Sequence, residues 1–170
     1  MVAESVMPVP APPEDESVTS TVLALFRQLH AQLREEIIGL DATAINWVPT
    51  AGANSIATIV THLVGSEAET IRCVAGQPCD RDREAEFQGR ERVPGGLLGL
   101  LESADDLIEA LEPRLDADRL KSVLALPTLP ADEVRSGLTW LVGNYGHARE
   151  HLGHLQLTKQ LYQGQTSPGL

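Results

Sequence analysis

The amino-acid sequence predicts an all-α protein whose helices pack as a four-helix bundle. Apolar residues recur at spacings of three and four in four separate segments, which is the pattern of helices with one buried face. Each segment would form a helix about 30 Å long, and glycine, proline or capping residues lie between the segments. The chain has 170 residues, of which 42% are hydrophobic. We therefore expect one domain with its own core, over residues 17–165.

The first predicted helix covers residues 17–40, and Ser17, Thr19 or Ser20 can cap its N-terminus. Its apolar stripe consists of Val22, Phe26, Leu29, Leu33 and Ile37. Residues 1–16 contain several prolines and acidic residues, so we expect a disordered or loosely packed tail before the bundle.

The second predicted helix covers residues 55–74, with Asn54 or Ser55 as its N-cap. Its apolar side consists of Ile56, Ile59, Val60, Leu63, Ile71 and Val74. Gly76 and Pro78 end the helix. A polar loop rich in Asp, Glu and Arg separates it from the third helix.

The third predicted helix follows Gly95 and Gly96 and extends to about Leu115. Residues 116–130 are ambiguous, because they could hold a short extended piece but contain two prolines that limit it. The fourth helix is expected over residues 131–163, and its apolar positions come close to a heptad pattern. The links before the second and fourth helices are long enough for crossover connections.

The charge balance limits the classes of partner. The formal net charge is −11, which argues against binding to nucleic acids or to anionic membrane surfaces. The sequence has no apolar run long enough to span a membrane and no secretory signal at its start. Cys73 and Cys79 match neither a redox motif nor a disulfide framework, so we expect reduced thiols in a cytoplasmic protein.

Three histidines lie close together in the segment GHAREHLGHLQL, at positions 147, 151 and 154. On a helix they fall within a narrow arc beside the apolar stripe. His147 and His151 are four residues apart, so both imidazoles can bind one metal ion. A third ligand must come from another segment. His62 is the best candidate, because it lies beside the apolar stripe of the second helix in the same way.

Asn144 and His154 share the arc of the two candidate ligands. His154 is two turns from His147, which is too far for all three histidines to bind one ion easily. We therefore expect His154 to tune the site or to contact a substrate. The alternative is that the whole arc is a solvated helix face, since short histidine patterns occur often without a metal.

Three further polar residues need an interpretation. Glu67 falls on the apolar face of the second helix, so we expect a buried ion pair with Arg149 or Arg27, or a role beside the metal. His30 has no visible partner and is interpreted as structural or exposed. Cys73 lies too far along the helix from His62 to be a ligand and is expected to be a buried structural thiol.

The segments NSIATIVTHLVGSE and HAREHLGHLQLTKQL together resemble the DinB/YfiT-like superfamily, and the resemblance extends over about residues 22–161. It implies an up-up-down-down four-helix bundle that is often dimeric. It also implies a metal triad of His62, His147 and His151 that binds a divalent ion, most often zinc or nickel. The family includes transferases that depend on the thiols mycothiol or bacillithiol.

The resemblance implies a metal-dependent thiol S-transferase that joins a low-molecular-weight thiol to an electrophilic small molecule. His154 or Asn144 would then orient a ligand or move a proton. A metal-dependent hydrolase would need the same metal ligands. The same pattern also fits a stress protein that binds metal or small ligands without catalysis, or a structural dimer module. We expect a small-molecule substrate and a homodimer, with neither nucleic acid nor membrane as a partner.

Overall fold

The computed structural model describes residues 17–88 and 92–166, and four long helices, α1, α3, α5 and α7, form a bundle. The all-α four-helix bundle predicted from the sequence is confirmed. The predicted N-terminal tail lies outside the described residues. The helices are α1 (Val18–Ile37), α2 (Ala42–Asn46), α3 (Ile56–Val74), α4 (Arg83–Phe87), α5 (Pro94–Leu111), α6 (Ala117–Lys121) and α7 (Gly137–Thr166), and the strands are β1 (Val123–Ala125) and β2 (Val134–Ser136).

Local sequence explains where the first two long helices begin. The Ser17 hydroxyl accepts a hydrogen bond from the Ser20 amide at 3.0 Å, and the Ser55 hydroxyl accepts one from the Thr58 amide at 3.2 Å. Both serines thus satisfy an amide that the first turn of a helix leaves unpaired. Two of the predicted capping residues, Ser17 and Ser55, are therefore confirmed.

The fourth long helix begins later than the sequence predicts. α7 starts at Gly137, because residues 134–136 form β2 and pair with β1 in an antiparallel hairpin. The Trp140 indole nitrogen donates to the Leu124 carbonyl at 2.8 Å and fixes this hairpin to the first turn of α7. The expected extended piece within residues 116–130 is confirmed as β1, whereas the helix start at residue 131 was wrong.

Contacts along α1 and α7 show that these two helices run parallel. The ring of Phe26 lies 5.7 Å from the ring of Tyr145. Further along both helices, the Lys159 ammonium binds the Glu36 carboxylate at 2.9 Å.

Two ion pairs show that α1 and α5 run antiparallel. Arg27, early in α1, binds Glu112 just after α5, whereas Arg34, later in α1, binds Asp105 within α5.

α3 runs antiparallel to α7, so the four helices follow the order up, down, down, up. Asn144 donates to the Ser66 hydroxyl at 2.9 Å, while His147, further along α7, meets His62, which lies earlier in α3. The expected order up, up, down, down is therefore corrected. The link between α3 and α5 connects opposite ends of the bundle, and we call its described residues, 75–88 and 92–93, the crossover segment.

The links before α3 and α7 do not cross the bundle. The first contains α2, which buries Ala44 and Ile45 at one end of the core. The second contains a 3-10 turn over Glu112–Arg114, α6 and the hairpin at the opposite end. Both links are therefore used in local structure, which leaves the crossover to the segment between α3 and α5.

The core is mainly aliphatic and forms two clusters, one toward each end of the bundle. The partly buried Tyr145 packs against both clusters. The most deeply buried large side chains are Phe26, Leu23, Leu29, Leu33, Ile37, Ile45, Ile56, Leu63, Ile71, Leu97, Leu101 and Ile108. Across residues 17–88 and 92–166, none of the helices has the length and apolar character that crossing a membrane requires.

Candidate metal centre

The structure brings together the three histidines that the sequence singles out. His62 projects from α3, and His147 and His151 project from adjacent turns of α7. One ring nitrogen from each histidine lies within 4.8 Å of the other two, so the three could hold one metal ion. The Nε2 atoms of His62 and His147 are 3.3 Å apart. The antiparallel packing of α3 and α7 turns the two flanking faces toward each other and produces this convergence.

The His151 ring shows that these residues fit a metal ion. Both of its nitrogens are buried, and neither has a hydrogen-bond partner within the described part of the chain. Leaving a buried polar atom unpaired costs roughly 1–3 kcal/mol, so such an atom calls for an explanation. A divalent ion shared by three imidazoles would satisfy one of these nitrogens. Three nitrogen ligands are also a known donor set for zinc and for several other first-row metals.

The electrostatics of the three rings favour the neutral form that binds metals. Burial lowers the pKa of His151 to about 4, and the charges of His147, His62 and His154 contribute to the shift. Burial, followed by the charge of His62, also lowers the pKa of His147. In His62 burial outweighs the opposing effect of Glu86, so its pKa is lowered too. All three rings are therefore neutral at pH 7, and an ion need not displace protons from them.

Sequence analysis missed Glu86, which holds the His62 ring in place. Glu86 lies in α4 on the crossover segment, and its Oε2 is 2.9 Å from His62 Nδ1. A carboxylate only accepts hydrogen bonds, so this contact favours the tautomer with its proton on Nδ1, which leaves the Nε2 lone pair facing the other two histidines. Arg81 Nη2 also lies near Nδ1, but at the longer distance of 3.2 Å, and it donates to Glu86 Oε2 at 2.8 Å. Carboxylates that orient metal-binding histidines in this way are common. The sequence carried one indirect signal, because Asp82 can cap a short helix here and so would have predicted the helix that holds Glu86.

A chain of buried polar contacts holds Glu86 in turn. Arg81 binds both Glu86 oxygens, at 2.7 and 2.8 Å, and also binds Glu69 at 2.8 Å. Glu69 is 1% exposed and accepts hydrogen bonds from the amide and the hydroxyl of Thr128, at 3.0 and 2.7 Å. Because the partners satisfy one another, these charges can be buried. The chain links the β1–β2 connection to His62.

Gly65 gives the crossover segment room to approach α3. A Cβ atom at this position would lie 2.1 Å from Glu86 Oε1, which no real contact allows. The absence of a side chain at Gly65 is therefore what lets the Glu86 carboxylate lie against α3 beside His62.

Two cavities adjoin the histidine cluster. The first, which we call the chamber, has a volume of about 280 Å³ and is lined by residues that include His62, His147, Asn144 and Trp140. The second, of about 310 Å³, lies beside His151 and His154 and has apolar walls that include Leu161. The cluster is therefore reachable from two sides by parts of a small molecule.

The structure places the two predicted catalytic residues beside the cluster. Asn144 donates from Nδ2 to Ser66, and its Oδ1 is buried without a partner in the described residues. His154 is exposed, and its ring centre lies 5.6 Å from that of His151. It does not belong to the three-histidine group. The roles suggested for Asn144 and His154 stay predictions.

Glu67, one of the two buried acids on α3, has a partner that sequence analysis did not name. Glu67 is 1% exposed and contacts His30 Nε2 at 2.9 Å, so the expected pairing with Arg149 or Arg27 was wrong. His30 is completely buried, and its Nδ1 contacts Asp105 at 2.6 Å. The structural interpretation of His30 therefore holds. The antiparallel packing of α1 and α3 places these two residues opposite each other.

Cys73 and Cys79 are free thiols, and both are half-buried, so Cys73 is less buried than the sequence predicts. Burial, with smaller contributions from Cys79 and Glu69, raises the pKa of Cys73 to about 11. At neutral pH the Cys73 thiol is therefore protonated, which suits a structural residue better than a metal ligand.

Comparison with known proteins assigns this chain to a family. The family model of the DinB superfamily matches residues 25–155. The chain belongs to the DinB superfamily. This match confirms the resemblance read from the two histidine segments, and it includes all three histidines of the cluster.

Two solved structures share the DinB-superfamily fold of this chain. YfiT from Bacillus subtilis, described as "a probable metal-dependent hydrolase with an unusual four-helix bundle topology", is 17% identical with a TM-score of 0.67, covering 89% of this chain and 92% of its own. A conserved protein from Enterococcus faecalis is 15% identical with a TM-score of 0.71, covering 88% of this chain and 99% of its own. No curated protein is similar enough to count as a match.

Proposed function

We propose that this DinB-superfamily protein is a metal-dependent enzyme that transfers a low-molecular-weight thiol to an electrophilic small molecule. The main support for metal dependence is that ring nitrogens of His62, His147 and His151 converge on one point. The buried nitrogens of His151, which have no hydrogen-bond partner in the described residues, add to this support. The choice of thiol transfer comes from the resemblance to mycothiol- and bacillithiol-dependent transferases. Zinc and nickel are the ions we expect.

A divalent ion with an open coordination position would supply the Lewis acidity that lowers the pKa of a thiol or of water. The protein contributes the rest. Glu86 keeps the proton of His62 on Nδ1, so that Nε2 points into the cluster. Asn144 Oδ1 can accept a hydrogen bond from a ligand in the chamber. The exposed His154 ring can pass a proton between this site and water.

A metal-dependent hydrolase is the second candidate. YfiT, a structural neighbour, is described as a probable metal-dependent hydrolase. Its 17% identity supports a shared fold, so hydrolysis enters here as a proposal. The two reactions need the same three histidines and differ in the nucleophile, which is a thiol in one and water in the other.

The metal content of purified protein tests the proposal. We expect about one zinc or nickel ion per chain after purification without chelators, measured by elemental analysis. His151→Ala should lose most of this metal, because only two ligands remain. His154→Ala, which changes an exposed neighbour of the same ring, should keep it. A wild-type protein without stoichiometric metal, or a His151→Ala variant that retains it, would contradict the proposal.

The choice between the two reactions rests on turnover by the metal-loaded protein. One assay measures consumption of a chlorodinitrobenzene electrophile with cysteine, glutathione, mycothiol or bacillithiol. A parallel assay measures hydrolysis of ester and amide substrates. Turnover that requires a thiol supports the transferase, and turnover without one supports the hydrolase. Metal binding without turnover in either assay would favour the non-catalytic binding protein.

A further inference from the structure

The walls of the chamber carry more positive charge than the rest of this acidic protein suggests. Arg81, Arg83 and Arg135 all line the chamber. Two of them are neutralised, Arg81 by Glu69 and Glu86, and Arg135 by a contact with Glu133. These two guanidinium groups are therefore already paired and do not call for a ligand.

Arg83 is the cation that remains. Within the described part of the chain it forms no ion pair, and its guanidinium lies 5.3 Å from the centre of the Phe87 ring. The Phe87 ring in turn lies 4.8 Å from the His62 ring, which places Arg83 on the histidine side of the chamber. Arg83 is exposed at the chamber wall, and a cation without an ion pair in a protein with a net charge of −11 can attract an anion.

Asn144 provides a second, independent indication of a ligand. Its side chain lines the chamber, and its Oδ1 is buried without a hydrogen-bond partner among the described residues. A buried acceptor of this kind is usually paired. A ligand that fills the chamber can pair it by donating from an N–H or O–H group.

We propose that the chamber binds a small carboxylate whose anionic group pairs with Arg83 and whose neighbouring N–H or O–H donates to Asn144 Oδ1. A guanidinium matches the two oxygens of a carboxylate. The chamber volume of about 280 Å³ lies at the low end for small-molecule sites, so the ligand is compact. The proposal deepens the proposed function, because this ligand would lie beside the metal centre as a substrate or as part of one.

N-acetylglycine is a suitable probe, because its carboxylate lies next to an amide N–H. Isothermal titration calorimetry compares it with three molecules, each differing in one feature. N-acetylglycinamide lacks the charge, N-acetylsarcosine lacks the N–H, and glycerol 3-phosphate carries a phosphate. We expect N-acetylglycine to bind about five- to tenfold more tightly than the amide or the sarcosine derivative, as for a charged hydrogen bond at a partly exposed site. Glycerol 3-phosphate should bind more weakly.

Variants connect this preference to Arg83. In Arg83→Gln the preference for the acid over the amide should fall to about one. The matched control is Arg72→Gln, which removes an exposed arginine on α3 that does not line the chamber, and it should keep the preference. Each titration is made on zinc-loaded and on metal-free protein, because a carboxylate can also bind the metal directly. A preference present without metal and lost in Arg83→Gln supports the proposal.

Several outcomes would overturn the proposal. Equal affinity for the acid and the amide, or a preference unchanged in Arg83→Gln, would remove the role of Arg83. Equal affinity for N-acetylglycine and N-acetylsarcosine would remove the role of Asn144, and tighter binding of glycerol 3-phosphate would overturn the choice of a carboxylate. Metal content is measured separately. A failed anion site with stoichiometric metal therefore leaves the metal-dependent function intact, and the reverse result is equally distinguishable.

Discussion

Replacing Glu86 with glutamine should weaken zinc binding while leaving the bundle folded. Glu86 Oε2 accepts a hydrogen bond from His62 Nδ1 at 2.9 Å, and both side chains are only 8% exposed. Little water shields this charged contact, which makes His62 Nε2 a better ligand. Glutamine can still accept a hydrogen bond, but it lacks the charge that roughly doubles the strength of such a bond. It also gives up one charged partner of Arg81.

Removing a carboxylate that orients a metal-binding histidine typically costs a factor of about 10 to 100 in affinity. This corresponds to about 1.4 to 2.7 kcal/mol. The Glu86 contact is buried and charged, so we expect a loss within this range. Competition with a chelator of known zinc affinity at pH 7.5 would measure it. Nitrogen NMR of the His62 ring would report whether the proton still resides on Nδ1.

The matched control is Glu84→Gln, an exposed change of the same charge on the same short helix. It separates the contact with His62 from the general loss of a negative charge near the site. Zinc affinity in Glu86→Gln equal to that of the wild type would refute the role given to this carboxylate. An equal loss in Glu84→Gln and Glu86→Gln would refute it as well, because the effect would then be one of net charge.

Two further substitutions test the surroundings of the site and the core. Gly65→Ala should weaken zinc binding, because the added Cβ would displace the Glu86 carboxylate from His62. Gly153→Ala, with open space at its Cβ, is the matched control and should leave zinc affinity unchanged. Equal zinc affinities in the two variants would contradict the role given to Gly65. Burial would lower the pKa of His30, but Glu67 and Asp105 outweigh it and raise that pKa above 6.5. The stabilisation from His30 is therefore complete below about pH 6.5 and is lost as the pH rises through the folded pKa. The free energy of unfolding of His30→Gln, measured with denaturant, should therefore depend less on pH above 6.5 than that of the wild type. Parallel plots of this free energy against pH for the two proteins would exclude this role.

The histidine cluster could be predicted from the sequence because local geometry determines most of it. His147 and His151 are one helical turn apart, so any helix through them places both rings on one face. His62 lies on the flank of an apolar stripe, and that stripe must pack against the core. The family resemblance implied that α3 and α7 are neighbours. With these helices side by side, few relative positions remain for the three imidazole rings.

The helix directions were not readable, because each of the three links is long enough to cross the bundle. A chain extends by up to about 3.3–3.6 Å per residue, so even the shortest link can span a helix of about 30 Å. What decides the crossover is how much of each link folds locally. The short helix α2 and the β1–β2 hairpin take up the links before α3 and α7, and neither element has a strong pattern in the sequence.

The wrong partner for Glu67 follows from the same uncertainty. Which α1 residue lies opposite a given position of α3 depends on whether the two helices run parallel or antiparallel. In the antiparallel arrangement the middle of α1 meets the middle of α3, and His30 faces Glu67. An ion pair between two helices can therefore be predicted from the sequence only when the relative directions of the helices are known.

The crossover segment connects the topology of the bundle to the chemistry of its site. α3 and α7 alone would bring the three imidazoles together, but nothing in either helix contacts the Nδ1 atom of His62. The carboxylate that does so comes from Glu86, on a segment that must run back along the bundle because α3 and α5 point the same way. Its path passes over α3 at Gly65, where the missing side chain leaves room for it. The same segment brings Arg83 to the chamber. The link that the sequence presents as a polar loop therefore supplies both the carboxylate that orients His62 and the cation proposed to recognise a substrate.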